Sequence, residues 1–261
     1  MNGATPVTSS LDARPVVLEL RDVVGGSALG SVGGDQPFNL KLCAGQVGVV
    51  FGGQETGSLL RVILGLGTLA SGEVRLCGRL LLGNDAPANG AQALRNEVGF
   101  GFRELGLMSN LSILANVDLP AKYHGFYTDL VPEGFFAERA LLELGVEPAQ
   151  WGLRPSALSG EMRKRVLLAR AIVLSPRVLI LDDPSAQMST MALPELLRMI
   201  ARQRDQGTAV LIGTNDLPFG IALADWVLHP SRHEMVVTYD DFVDPTWTHS
   251  AALLSARMRQ L

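Results

Sequence analysis

Leu158-Ser159-Gly160-Glu161-Met162-Arg163-Lys164-Arg165 precedes an apolar helical run, and after Ser175-Pro176 comes Val178-Leu179-Ile180-Leu181-Asp182-Asp183-Pro184. A serine before glycine opens a helix, because its hydroxyl accepts a backbone N–H of the first turn. The helix is expected over 161–173 and stops before Ser175-Pro176, since the residue before proline is pushed out of helical geometry. Four apolar residues then read as a strand buried on both faces, as in a parallel sheet. That strand ends in two carboxylates.

Outward from this stretch, strands alternate with helices. Val16–Leu20 and the alternating Phe38–Leu42 read as strands, with a Gly/Ser-rich loop over 25–36 between them. Val47–Phe51 is a short buried strand, Gly52 to Gly57 a glycine-bounded loop, and Leu59 to Leu66 a helical pattern. Ser71-Gly72 turns into a strand over 73–78, and a further strand covers 98–102. Residues 110–145 are mostly helical, with breaks expected at Pro120, His124-Gly125 and Pro132. A helix over 191–205, a buried strand over 208–213, a helix over 217–224 and a last helix over 248–259 complete the chain. The expected fold class is α/β: a mostly parallel core sheet covered on both faces, an antiparallel portion (16–50 and 73–82), and an inserted helical subdomain over 105–155. Residues 1–15 read as a flexible tail, 16–230 as the main domain, and 231–261 as an extension with a short helix.

Composition narrows the function classes. The chain has 261 residues, 47% of them hydrophobic, enough for one sizeable core. A formal net charge of −4 speaks against a nucleic-acid surface. The two cysteines, Cys43 and Cys77, sit in apolar stretches and read as small buried residues of a reducing compartment. The first 15 residues lack the apolar core of a signal peptide, and no charge-free run reaches the roughly 18 apolar residues of a membrane span. His124, His229, His233 and His249 form no ligand set, and Trp151, Trp226 and Trp247 read as core or interface residues.

The ordered set of motifs resembles the ATP-binding cassette (ABC) ATPase family over about 16–230. It comprises Gly45-Gln46, the glycine loop, Ser71-Gly72-Glu73-Val74, Asn116-Val117, Leu158-Ser159-Gly160, Ala169-Arg170-Ala171, Leu181-Asp182-Asp183-Pro184 and Thr214-Asn215-Asp216. Asn116-Val117-Asp118-Leu119-Pro120 and Met162 further resemble the ATPases of lipid-transport (MCE/Mla-type) ABC systems. The resemblance implies a P-loop NTPase-like cassette that binds ATP and Mg²⁺. Gly52, Gly53, Gln54, Glu55, Thr56, Gly57 and Ser58 would stand around the phosphates, Ser58 and Asp182 at the metal, and Arg103 at the metal-sensing position. Ser159, Gly160 and Glu161 would face the nucleotide of the opposite subunit, and Asp182, Asp183 and Asn215 would occupy the catalytic stations.

The departures from the family pattern all weaken one chemistry. The loop pattern G-x-x-x-x-G-K-[ST] needs a lysine for the β/γ-phosphates, yet Gly57 is followed by Ser58-Leu59-Leu60-Arg61, two residues short and without lysine. Glu55 and Glu161 add carboxylates where polyphosphate would lie, and like charges at close range repel by about 1 kcal/mol in water and more when shielded. The Gly52–Gly57 stretch alternatively reads as a strand-to-helix turn that needs glycine, and Glu161 as a favourable charge in a first helical turn. Arg103 stands for the family glutamine, Asp183 for the catalytic glutamate, Ser189 for the aspartate of the following turn, and Asn215 for the switch histidine. No aromatic between Glu19 and Gln36 offers itself to adenine. Arg163-Lys164-Arg165 reads as a solvated helix face. The expected function is a catalytically degenerate cassette subunit of an ABC transporter. It would be cytoplasmic, peripheral at the inner membrane, and would partner a permease and a second cassette in a hetero- or homodimer. An active ATPase subunit and a soluble regulator with the same fold are the alternatives.

Overall fold

The computed structural model describes residues 14–25, 37–52, 54–87, 97–102, 106–229 and 234–236. Strands β3 (Val47–Phe51), β6 (Val98–Gly101), β7 (Val178–Asp182), β8 (Ala209–Thr214) and β9 (Trp226–His229) run parallel, and β10 (Glu234–Val236) pairs antiparallel with β9. The sheet order is β10-β9-β3-β8-β7-β6. A second, four-stranded antiparallel sheet has the order β2-β1-β4-β5, from β1 (Val16–Gly25), β2 (Phe38–Cys43), β4 (Leu69–Leu76) and β5 (Arg79–Leu82). The expected mixture of a mostly parallel core and an antiparallel portion is therefore present.

Two cores form because alternate residues of each strand point to opposite faces. Val178 and Ile180 join Val50, Ala209 and Leu211 on one face. There they meet α1 (Gln54–Ile63) and the antiparallel sheet through Leu18, Leu40, Leu59 and Leu60. Leu179 and Leu181 join Val47, Val49, Val210 and Ile212 on the other. That face is covered by the helical layer: α2 (Ile113–His124), α3 (Phe135–Glu143), α4 (Gly160–Ile172), α5 (Leu193–Asp205) and α6 (Leu217–Ile221).

Several elements differ from the sequence expectation. Residues 54–57 are helical, so the glycine-bounded loop shrinks to the positions between β3 and α1. Pro120 does not break α2, which runs on to His124 and ends on Gly125 in the left-handed region. The carbonyl that proline strips of a partner is that of Asn116, whose buried side chain instead binds Met108 N–H and the carbonyls of Met108, Leu111 and Ser112. Ser71-Gly72 lies inside β4, where Gly72 (φ 93°) lets the strand pass the Asp22 carbonyl closely. The helix expected over 217–224 covers only Leu217–Ile221, and β10 lies beyond the boundary read at 230. Most of the 25–36 loop, Trp247 and the helix expected over 248–259 fall outside the described residues.

Close packing of β6 against the end of α4 depends on Gly99. A Cβ there would stand 2.0 Å from the Ala171 carbonyl oxygen and 2.8 Å from Pro176. Neither neighbour is a flexible chain end. Gly99→Ala is therefore expected to destabilise the chain by about 1–3 kcal/mol, the usual penalty for overpacking. Urea unfolding with an unchanged denaturant slope checks it.

Candidate functional site

In an open parallel sheet, chemistry gathers outside the carboxyl ends of the strands. Here β3 ends at Phe51, β7 at Asp182 and β8 at Thr214. Residues 52 and 53 alone separate β3 from α1. Gly52 donates its N–H to the Thr214 carbonyl at 3.3 Å, and its own carbonyl accepts the Thr56 hydroxyl at 2.8 Å. Thr56 is buried, and its methyl sits 2.4 Å from where a Cβ of Gly213 would be. Gly213 has no side chain, so α1 can press its first turn onto β8.

Gly57 faces Asp182: a Cβ on it would lie 4.0 Å from the Asp182 carboxylate. Gly57 itself brings no side chain to that carboxylate. Ser58, the residue expected at the metal, stands roughly 100° further round the helix. Gln54 and Glu55 begin α1, while Gly53 and Arg103 lie outside the described residues. The resemblance placed a phosphate-encircling loop over 52–57. The early start of α1 leaves at most about 7 Å of non-helical chain for it.

Asp183 follows β7 with φ 48°, its N–H bonded to the Gly213 carbonyl at 2.7 Å. Its carboxylate accepts the Thr214 hydroxyl at 3.3 Å. Its carbonyl accepts the ammonium of Lys164 at 2.9 Å. Lys164 is buried on α4, so the Arg163-Lys164-Arg165 run is not a solvated face: only Arg163 is exposed. The signal was available, since Lys164 shares the stripe of Leu168 and Ala171 at helical spacing. Asp216 caps α6 through Phe219 N–H at 3.1 Å and accepts the Ser185 hydroxyl at 3.4 Å. Asn215 beside it is exposed.

Ser159 caps α4, its hydroxyl accepting Met162 N–H at 3.1 Å as the serine-glycine start implied. Gly160 lies beside Gln187. Glu161 makes its contacts within its own chain. Its carboxylate accepts Ser189 N–H at 3.1 Å and pairs with Arg165 at 3.2 Å. Arg165 also binds Glu195 and the Leu144 carbonyl. The Ser189 hydroxyl, the Ser189 N–H and Arg165 together hold the Glu161 carboxyl below its usual range. The site thus brings Gly52, Gly57, Asp182, Asp183 and Thr214 together, and ties Glu161 to the turn after β7. Among the described residues no cluster of three or more His, Cys, Asp or Glu side chains could hold a metal ion. Neither Cys43 nor Cys77 forms a disulfide among the described residues, and burial pushes the Cys77 thiol up to about 11.

A parallel sheet with acids at its central strand ends, an antiparallel sheet on one face and a capped Ser-Gly helix on the other define a nucleotide-binding cassette. The chain belongs to the ABC transporter family, which matches it over residues 36–186. It is 30% identical to the glutamate transport ATP-binding protein GluA of Corynebacterium efficiens over 78% of this chain and 83% of that protein. It is 32% identical to the macrolide export ATP-binding/permease protein MacB of Bordetella avium, over 77% of this chain. The chain spans 31% of that protein's length. Among solved structures, the dimeric bacterial ABC transporter cassette MJ0796 superposes with TM-score 0.72 at 20% identity, over 82% of this chain and 94% of that one. The cbiO1 subunit of the cbiONQ ABC transporter complex from Clostridium perfringens superposes with TM-score 0.74 at 20% identity, over 93% and 97%.

The Glu161 bridge makes a pH-dependent contribution to stability. A carboxyl held low in the folded chain stabilises it above the unfolded value of about 4.3, and the contribution is lost as pH falls through the folded value. Glu161→Gln should therefore be less stable than the native chain at pH 7, with the gap closing below about pH 4. Urea melts across that range check this, and a gap that stays constant to pH 3 would assign the bridge no ionic role.

Proposed function

We propose that this cassette subunit hydrolyses ATP weakly or not at all, and serves as the structural or regulatory partner of a membrane permease and a second, competent cassette. One observation carries the reading: only two residues separate β3 from α1, whose first turn packs on β8. A phosphate loop works by curling successive backbone N–H groups round the anion, with a lysine and a hydroxyl beyond them. Two residues cannot form that ring, and no lysine follows it. The residues at the strand ends therefore do not fit a magnesium-bound triphosphate.

The neighbouring groups support the same reading. Asp183 is engaged by Thr214 in place of a water to be activated. Glu161 holds its own chain's turn rather than presenting a bare N-terminal turn to a γ-phosphate. The partners follow from the relatives: MacB is named for both ATP-binding and permease parts, and MJ0796 was solved as a dimer. No helix among the described residues is long and apolar enough to cross a membrane. This suits a cytoplasmic subunit, peripheral at the inner membrane, that docks on a separate permease through its helical layer.

The test is direct. Titrating the purified chain with a fluorescent ATP analogue and Mg²⁺ should give no saturable binding, and phosphate release should stay at the level of Asp182→Asn. Robust Mg²⁺-dependent turnover that Asp182→Asn abolishes would overturn the reading.

A further inference from the structure

A cavity of about 390 Å³ opens beside the edge strand β6. Its walls come from separate elements: Leu66 just past α1, Phe100 of β6, Leu119 and Tyr123 of α2, and Leu174 past α4. Both its volume and its chemistry are those of a small-molecule site, which is mostly apolar with a few placed polar groups. It is set apart from the strand ends by α1. That helix packs its first turn on β8, and its last residue, Ile63, lines the cavity about 15 Å further on.

One cation interrupts the apolar lining. Arg170, on the last turn of α4, is the only Asp, Glu, Lys or Arg that lines the cavity, and His124 and Tyr123 are its other titratable groups. Among the described residues the Arg170 hydrogen bond is to the Gly106 carbonyl at 3.5 Å, the outer limit of such a bond, and no carboxylate lies within ion-pair distance. Burial pulls its guanidinium below the ordinary value. A desolvated cation is unfavourable until an anion meets it. The planar guanidinium fork offers two parallel N–H donors to the oxygens of a carboxylate or a phosphate. An inorganic anion would answer Arg170 but leave the apolar walls wet, and a hydrocarbon would cover the walls but leave the cation unpaired. A ligand that is apolar along its length and anionic at one end answers both. A protein contact of standard size needs about 800 Å² per partner, more surface than these walls offer.

We infer that the cavity binds a single-chain amphiphile with an anionic oxygen head, its chain along Leu66, Phe100 and Leu174 and its head on Arg170. This site goes beyond the function proposed above and does not depend on whether the strand ends take a nucleotide. Charge then selects among chains of equal length: a neutral head leaves Arg170 unpaired, and a cationic head is repelled by it. Length selects among anions, since each methylene that becomes buried tightens binding by about fourfold.

Isothermal titration calorimetry on the full chain tests this, with laurate, dodecyl phosphate, lauramide and dodecyltrimethylammonium, each below its micelle-forming concentration. The anions should bind tightest, and the tighter of the two identifies the head as carboxylate or phosphate. Lauramide should be weaker than laurate by roughly 10- to 100-fold, the worth of a charged hydrogen bond shielded from water. The ammonium should be weakest, and octanoate should bind less tightly than laurate. Arg170→Met should bring both anions down to the level of lauramide and leave lauramide unchanged. Leu66→Asp should weaken all of them. Thermal unfolding shows whether each variant is folded, and the rank order on the native chain tests the charge without any variant. Equal affinity for the four heads, binding of none of them, or binding that neither variant changes would each overturn the proposal. Binding of an apolar helical peptide with a single glutamate, where none of the amphiphiles binds, would assign the cavity to a protein segment and overturn it as well. ATP binding and hydrolysis are judged by the nucleotide titration alone.

Discussion

The contact of Thr56 with Gly213 governs the rest of the site. A Cβ at 213 would collide with the threonine methyl at 2.4 Å and with Leu60 at 2.9 Å. Without it, the first turn of α1 seats directly on β8, and Thr56 turns its hydroxyl back to the Gly52 carbonyl at 2.8 Å. The helix consequently begins where a phosphate loop would still be curling. Buried backbone groups must find partners, and here the chain supplies them: Gly52 N–H goes to Thr214, Asp183 N–H to Gly213, and the Asp183 carbonyl to Lys164. The crevice at the strand ends is knitted by the chain itself.

The signature-like helix takes part in the same closure. Glu161 receives Ser189 N–H and pairs with Arg165, and Arg165 continues to Glu195 at the start of α5. The turn from Asp183 to Ser189 is therefore held at both ends by α4, at one by Lys164 and at the other by Glu161. In a working cassette these positions would meet a nucleotide shared between subunits. In this chain these positions make hydrogen bonds to one another. Of the two carboxylates expected at one phosphate pocket, Glu161 is bonded to its own helix and the turn after β7.

The elements most legible in the sequence are those in which one physical rule acts alone. Val178–Leu181 and Ala209–Ile212 are apolar on both faces, and only a strand covered on both sides tolerates that. Ser159-Gly160 is a helix start because a hydroxyl cap needs no tertiary context. Less legible were the places where two rules compete. Gly52 and Gly57 frame what reads as a loop, yet Gln54-Glu55-Thr56 accept helical geometry, and packing on Gly213 decides for the helix. Pro120 reads as a break, but proline removes only one hydrogen bond, and Asn116 rearranges the polar groups of that turn. Lys164 reads as solvated because lysine seldom goes inside. Its burial follows from a partner, the Asp183 carbonyl, that is 19 residues away in sequence and adjacent only in the fold.

Three of the four cations of α4, Lys164, Arg165 and Arg170, sort by what answers them. Lys164 and Arg165 look toward the strand ends and the neighbouring helices, and both are answered within the chain at hydrogen-bonding distance. Arg170, nearer the C-terminus, meets among the described residues the Gly106 carbonyl at 3.5 Å. A helix C-terminus favours positive charge, which makes an arginine there tolerable without making it satisfied. The chain thus closes the crevice at its strand ends with its own groups.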